Sequence, residues 1–236
     1  MKNWQEDILN LINGGHDANE CFAELAEGAR ALGFEYCAYG LRVSYPLFNR
    51  QATLLNNYPE TWQNMYRERD YVLQDPTVRH GQSSTQAMVW SNEMFANSPE
   101  LWNEAQSFGL RVGWAKSCIE RNGIFGILTL ARSAELLTDA ELQHKSSQMN
   151  WLAQAAHLNM SRNIMPTLTN GPNSPITPRE AEALKWIGDG KTSAEIGLIL
   201  SISEHTVNFH IKNAITKLNV TNRTAAVVMA VVMGLL

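Results

Sequence analysis

TSAEIGLILSISEHTVNFHIKNAITKL, residues 192–218, holds two helical patterns separated by Ser201-Ile202-Ser203. In the second, Val207, Ile211, Ala214, Ile215 and Leu218 recur at helical spacing and make one apolar stripe. The opposite face carries His205, Phe209, Lys212, Asn213 and Thr216, so a phenylalanine sits among polar side chains where a solitary bundle would face water. Ser203 is suited to cap this helix, and Thr192-Ser193-Ala194-Glu195 is a capping box for the one before it. A short helix, a tight turn and a longer helix have the shape of a helix-turn-helix. In that motif the first helix crosses the phosphate backbone and the start of the second enters the major groove. Lys212 and Lys217 then offer phosphate or base contacts, Asn208 and Asn213 donate and accept at base edges, and Phe209 fits against a thymine methyl.

The surrounding residues extend the pattern to four helices. Thr177-Pro178-Arg179-Glu180 is another capping box with proline in the first turn, and Asp189-Gly190 closes that helix. Asn219 to Asn222 interrupts the helix of the quoted stretch, and Thr224 to Leu235 supplies a fourth, mostly apolar one. The whole chain of 236 residues has a net charge of -4, which argues against wholesale attraction to nucleic acid. Residues 171–236, however, hold 6 Lys+Arg against 5 Asp+Glu, and beyond Glu204 there is no acid while Lys212, Lys217 and Arg223 remain. A groove responds to that local charge.

This region resembles the LuxR-type DNA-binding domain over its whole length. The motif matches are Glu180, Gly190-Lys191-Thr192, Glu195-Ile196, Ser203, Thr206-Val207, Lys217-Leu218 and Asn222-Arg223. The resemblance implies a partner of double-stranded DNA with an inverted repeat, bound by a homodimer whose contact is the last helix, with RNA polymerase as a further partner. Its candidate DNA-binding residues are Lys191, Thr192, His205, Thr206, Asn208, Phe209, Lys212, Asn213, Lys217 and Arg223.

Upstream, MPTLTNGPNSP (165–175) reads as a linker, because three prolines, a glycine and several Asn, Thr and Ser residues interrupt helical patterns on both sides. A long helix is expected from about Leu136 to Ile164, with Thr138 as its cap and an apolar stripe including Leu142, Met149, Leu152 and Ala156. FEYCAYGLRV (34–43) and GIFGILTLAR (123–132) read as strands. Asn122-Gly123, between VGWAKSCI and IFGILTLA, signals a hairpin. Helices are expected at 3–13, 18–32, 59–68 and 98–108, the last two opened by Pro59 and by Ser98-Pro99. The expected class is α+β: an N-terminal α-β-α sandwich with an antiparallel sheet (1–164), a linker (165–175) and an all-α four-helix helix-turn-helix domain (176–236).

YPETWQNMYRERDYVLQDP (58–76) spaces Tyr58, Trp62 and Tyr66 four apart, on one helical face. Core packing explains three aromatics, yet each has a polar tip that needs a partner when buried. Asp75, bounded by apolar segments, would be expensive to bury alone. An aspartate facing an aromatic-lined cavity suits an apolar ligand with an amide: the carboxylate accepts the N–H, and Trp and Tyr tips donate to carbonyls. This stretch resembles the LuxR-type autoinducer-binding domain, with Y-x3-W-x3-Y at Tyr58, Trp62 and Tyr66, D-P at Asp75-Pro76, a further Trp at Trp90, F-G-x-x-x-G from Phe108 to Gly113, and Thr129 on the closing strand. The resemblance implies an N-acyl-homoserine lactone and quorum sensing. Trp62 would donate to the lactone carbonyl, Asp75 would accept the amide N–H, Tyr58 and Thr129 would bind the acyl carbonyl, and Tyr66 and Trp90 would pack chain and ring. Ala38 is a candidate for the pocket floor. Two alternatives keep the architecture: a regulator that senses another small molecule or none, and a protein that titrates related regulators by heterodimerisation.

Other classes find little support. Cys21, Cys37 and Cys118 show no CxxC or zinc spacing, and no cofactor or metal is expected. No G-x-S-x-G elbow, HExxH or P-loop accompanies His80, Ser83 and Asp75, so no enzyme is expected. No apolar run reaches the roughly 18 residues of a membrane span, and the expected location is the cytoplasm.

Overall fold

The computed structural model describes residues 17–42, 52–120, 124–169 and 175–236. The expected helix at 3–13 and the Asn122-Gly123 turn lie outside them. The chain divides into two compact units whose main boundary falls between Ile164 and Met165.

The first unit is built on a five-stranded antiparallel sheet in the order β2-β1-β5-β4-β3. Its strands are β1 (Tyr36–Arg42), β2 (Ala52–Asn56), β3 (Met88–Val89), β4 (Val112–Ile119) and β5 (Phe125–Arg132). The two strands expected from aromatic and branched residues are β1 and β5, side by side in the register Ala38↔Thr129. VGWAKSCI is β4, which pairs with β5 from Val112↔Arg132 to Ile119↔Phe125. The edge strands β2 and β3 escape a periodicity reading, since one is five residues of mixed character and the other two.

Alternation along the strands separates two faces. Tyr39, Gly126 and Leu128 face α1 (Ala18–Ala31) and α5 (Asp139–Thr169). There the Tyr39 hydroxyl lies 2.9 Å from His157 Nδ1, and Leu152 of α5 packs on Gly28 of α1. Ala38, Gly40, Ala115, Ile127 and Thr129 face the other way. On that side lie α2 (Glu60–Glu68), α3 (Pro76–Gly81) and α4 (Pro99–Ser107), with Gly81 of α3 against Phe125 and Ile127. The α-β-α sandwich is therefore present.

Helix α5 begins where Thr138 Oγ1 accepts from Glu141 N at 3.2 Å. Its expected stripe serves the core, because Met149, Leu152 and Ala156 are fully enclosed. Arg132 anchors its first turn with two bonds to the Glu141 carboxylate, 3.0 and 2.8 Å, and Lys145 adds a third at 2.7 Å. Hydrogen bonds from Arg132 and Lys145 push the Glu141 carboxyl down to about 2. The helix also runs past its expected end, through Pro166 to Thr169, so the segment expected as linker begins as helix. A proline removes one hydrogen bond from the ladder, and the preceding turns carry the chain through it.

The second unit contains α6 (Pro178–Gly188), α7 (Ser193–Leu200), α8 (Glu204–Lys217) and α9 (Arg223–Val232). Both capping boxes are formed, Thr177 with Glu180 and Thr192 with Glu195. Ser203 caps α8, and the Asn222 side chain accepts from Ala225 N at 2.8 Å to open α9. Asp189 and Gly190 close α6 as expected. Val207, Ile211, Ala214 and Leu218 are buried against Ala183, Leu184, Ile196, Ala226 and Ala230. Burial of each larger side chain contributes about 1.5–3 kcal/mol, so the stripe seats the helix firmly.

Candidate ligand pocket and DNA-reading surface

A cavity of about 510 Å³ opens between the sheet and helices α2 to α4. All seven expected ligand residues line it: Ala38, Tyr58, Trp62, Tyr66, Asp75, Trp90 and Thr129. Only Trp62 and Tyr66 stand on a helix, however. Pro59 is the N-cap of α2 in an extended conformation, so Tyr58 precedes the helix and reaches the cavity from the loop.

Asp75 is the N-cap of α3. Its Oδ1 accepts from Thr77 N at 2.8 Å and from Thr77 Oγ1 at 2.6 Å, and its Oδ2 accepts from the Tyr66 hydroxyl at 2.9 Å. Burial raises its carboxyl above the usual aspartate range despite these donors. Burial also pushes the Tyr58 and Tyr66 hydroxyls up, with the Asp75 charge adding to it, so both remain protonated donors. Among the described residues, nothing accepts from the Trp62 indole N–H, the Tyr58 hydroxyl or the Thr129 hydroxyl, although all three side chains border the cavity. With the Trp90 indole N–H, which likewise has no acceptor and belongs to a residue lining the cavity, the site presents four uncommitted donors and one half-buried acid within largely apolar walls.

Trp90 owes its position to Gly113. A Cβ on Gly113 would lie 2.2 Å from Trp90 Cδ2, so the last glycine of the F-G-x-x-x-G motif leaves the space that the indole fills. The Trp90 backbone N–H bonds the Gly113 carbonyl at 2.8 Å. Several wall residues were not expected. Phe95 and Trp102 stack at 4.4 Å, and with Leu101 and Leu110 they form the wall on the α4 side. No local signal marks these as ligand-facing. Thr77 did have one, since Asp75-Pro76 is an N-cap followed by proline, which places Thr77 where its N–H meets the cap.

The second unit presents α8 outward. Phe209 is 57% exposed, with His205, Asn208 and Lys212 also exposed and Thr206 and Asn213 half-buried. Lys191, Thr192 and Arg223 are exposed as well. Two expected contacts are engaged inside the unit. Asn208 Oδ1 accepts from Ser193 Oγ at 2.8 Å, although the residue as a whole is exposed. Lys217 Nζ donates to Glu180 Oε2 at 2.8 Å and to the Pro175 carbonyl at 3.2 Å, so it ties α8 to the start of α6. Glu180 is buried, which would raise its carboxyl, but hydrogen bonds from Lys217 and Thr177 outweigh burial and hold it below the usual range. The partner that claims Lys217 lies 37 residues away in sequence.

His80, Ser83 and Asp75 form no hydrolytic triad. The Ser83 hydroxyl donates to the His80 carbonyl at 3.2 Å, His80 Nε2 lies 3.3 Å from the Gln86 carbonyl oxygen, and Asp75 faces Thr77 and Tyr66. Burial pushes the Cys37 thiol up to about 12, which makes it a poor nucleophile. Among the described residues no cluster of His, Cys, Asp and Glu could hold a metal, and no helix is long and apolar enough to cross a membrane.

Comparison with known proteins agrees with both halves. Residues 17–160 match the autoinducer binding domain, and residues 174–230 match the bacterial regulatory proteins of the luxR family. The transcriptional activator protein AnoR of Acinetobacter nosocomialis is 42% identical over 238 residues, covering 100% of both chains. The HTH-type quorum-sensing regulator RhlR of Pseudomonas aeruginosa is 34% identical over 99% of this chain and 96% of its own. The crystal structure of Escherichia coli SdiA superposes with a TM-score of 0.85 at 30% identity, covering 98% of this chain and 97% of that one. SdiA in complex with octanoyl-rac-glycerol gives the same score and identity over 98% and 94%. With a ligand-sensing domain, a helix-turn-helix domain and end-to-end relatives in the same order, this chain belongs to the LuxR family of quorum-sensing, DNA-binding transcriptional regulators.

Proposed function

We propose that the first unit binds an N-acyl-homoserine lactone and that the protein, as a dimer in the cytoplasm, binds an inverted-repeat DNA site through α8. One observation carries the ligand reading: uncommitted donors, Trp62, Tyr58 and Thr129 together with Trp90, line a cavity that also holds the carboxylate of Asp75. A lactone carbonyl, an acyl carbonyl and an amide N–H answer that set, and the apolar walls take the chain. The SdiA complex supports an acyl ligand, since octanoyl-rac-glycerol carries an eight-carbon chain. That compound has no amide N–H, so it serves as a control for Asp75. We assign residues 1–164 to sensing and 176–236 to DNA binding.

Ligand binding to the folded state alone stabilises it by RT ln(1 + [L]/Kd), about 2.7 kcal/mol at a hundredfold excess over Kd. Full-length protein is therefore expected to unfold roughly 5–10 °C higher with the best of N-hexanoyl-, N-octanoyl- and N-dodecanoyl-homoserine lactone, and to gain less from octanoylglycerol. No shift with any lactone would remove this assignment.

Dimerisation would present two copies of α8 to successive major grooves, about 34 Å apart. Lys212, exposed and without an acidic neighbour on the outward face, is expected to contact phosphate or a base. Lys212→Ala should weaken operator binding roughly tenfold and, where both copies contact phosphate, flatten its salt dependence by about two units of slope, with thermal stability unchanged.

Lys217→Ala should do the reverse, because it leaves Glu180 buried without its cation. A loss of about 2 kcal/mol in the stability of the second unit is expected. Glu180 titrates lower in the folded state, so the stability it supplies is present above its unfolded value, about 4.3, and is lost as pH falls through the folded value. The Lys217→Ala deficit should accordingly be largest near neutral pH, as chemical denaturation at several pH values would reveal.

A further inference from the structure

Trp62 is held from behind by a tyrosine outside the family motif. Tyr71 is 2% exposed and stacks on Trp62 with ring centroids 6.0 Å apart and planes 29° from parallel. It stands in a short 3-10 turn, Tyr71–Leu73, preceded by Asp70 in the left-handed region at φ 50. Both Asp70 and Val72 border the cavity, so the segment is part of its wall. The Tyr71 hydroxyl donates to Glu104 Oε2 at 2.6 Å and accepts from Arg69 Nη1 at 3.0 Å. Arg69 Nη1 in turn lies 2.6 Å from Glu104 Oε1, closing a three-residue ring of hydrogen bonds. Glu104 stands on α4, whose Leu101, Trp102 and Ala105 line the cavity, while Glu104 and Arg69 do not.

We infer that Arg69 and Glu104 form a clasp outside the cavity that sets the position of the Trp62 indole through Tyr71, and so tunes the affinity for a ligand that Trp62 binds. This rests on the reading of Trp62 as a donor to the ligand. The argument is geometric. A stacked ring fixes the plane of its neighbour only if it is itself fixed, and Tyr71 is fixed by two hydrogen bonds, one to a charged acceptor and one from a charged donor. Glu104 is the decisive member, with its side chain 25% exposed, whereas the second acid near Arg69, Glu100 at 2.6 Å, is 71% exposed and contributes little. Tyr66 and Phe108 also touch Trp62, at 5.8 and 5.7 Å, and restrain its edges. Neither ties the indole to a charged pair outside the cavity as Tyr71 does: no polar anchor holds Phe108, and the Tyr66 hydroxyl goes to the Asp75 carboxylate, inside the site itself. Arg69 and Glu104 are thus positioning residues.

A double-mutant cycle separates positioning from plain stability. The affinity of full-length protein for N-octanoyl-homoserine lactone would be measured for wild type, Glu104→Ala, Trp62→Phe and the double variant, with unfolding temperatures alongside. Glu104→Ala is expected to raise Kd about tenfold, the size of one hydrogen bond to a charged group. Trp62→Phe should raise it at least as much, and the double variant should match Trp62→Phe alone. Glu104→Gln, whose amide oxygen can still accept from Tyr71, should recover most of the wild-type affinity. If Glu104→Ala fails to fold, Tyr71→Phe replaces it, keeping the stacked ring while losing both hydrogen bonds, with the same pattern expected. An unchanged Kd in Glu104→Ala, or a double variant in which the two losses multiply, would overturn the clasp and leave the lactone reading standing. An unchanged Kd in Trp62→Phe would overturn the donor assignment first, and the clasp with it.

Discussion

Asp75→Asn is expected to weaken binding of an N-acyl-homoserine lactone roughly 100-fold and, at neutral pH, to make the unliganded protein more stable. Both effects come from one buried carboxylate. Its oxygens already accept from Thr77 N, Thr77 Oγ1 and the Tyr66 hydroxyl. About four lone-pair sites exist on an ionised carboxylate, so one is left for a ligand N–H. A hydrogen bond to a charged group is worth about 1.5–3 kcal/mol, which spans tenfold to 150-fold in affinity. Asparagine keeps the cap on α3 through its carbonyl oxygen but turns the other acceptor into a donor: the Tyr66 hydroxyl can rotate and accept from it, whereas a ligand N–H meets another N–H. Octanoylglycerol, which can offer a hydroxyl that also accepts, should lose less.

The stability effect follows from burial, which raises the Asp75 carboxyl above its ordinary value. For a group raised in the folded state, the stabilising contribution is complete below its unfolded value, about 3.9, and is lost as pH rises through the folded one. At neutral pH the empty site therefore bears an ionised group that the fold disfavours, and Asn removes that cost. The gap in unfolding temperature between the Asn variant and wild type should be widest near pH 7 and close as pH approaches 4. A saturating lactone, by donating to the carboxylate, should reverse the ranking at neutral pH. Equal lactone affinity in the two proteins would end the assignment of Asp75 as the acceptor.

The difference between what was legible and what was not lies in the range of the interactions. Ser203, Thr192 and Thr177 were readable as caps because a cap and its partner lie within three residues. The outward Phe209 was readable because a helix alone decides which residues share its face. Trp62, Tyr66 and Asp75 were readable through local spacing and resemblance. The ion pair of Lys217 was not legible because the acid that binds it stands on another helix. Tyr71 carried no local signal for the same reason, since its partner Glu104 is 33 residues away. Leu101, Trp102 and Leu110 became pocket walls only when α4 and β4 met the sheet. Pro59 shows a local rule operating against the periodic one: the four-residue spacing put Tyr58 on the helix, and the proline after it kept it off.

The second large effect is expected at Gly197, in the quoted helix-turn-helix stretch, where Gly197→Ala should cost about 3 kcal/mol and remove operator binding at 37 °C. The glycine is helical and buried, and its backbone conformation is ordinary. What it cannot accommodate is a side chain. A Cβ there would lie 2.8 Å from the Ile202 carbonyl oxygen, 3.4 Å from Glu204 N and 3.6 Å from the Ser203 carbonyl carbon. All three are backbone atoms of the turn, which cannot move aside as a flexible side chain would. The turn is itself tightly specified: Ser201 adopts φ 55, Ile202 N bonds the Gly197 carbonyl at 3.0 Å, and Ser203 caps α8 at once. Relief must come from moving α8 away from α7, which would open the seat of Val207 against Ile196 and turn the outward face bearing Phe209 and Lys212. In an exposed helix the same change would stabilise, since alanine is the better helix former by roughly 1 kcal/mol. The sign of the effect is therefore diagnostic. Differential scanning calorimetry should show a lower transition for the second unit with the lactone-dependent transition of the first unchanged, and gel-shift titration should show no specific complex. A more stable second unit would mean that the two helices approach less closely than these contacts require.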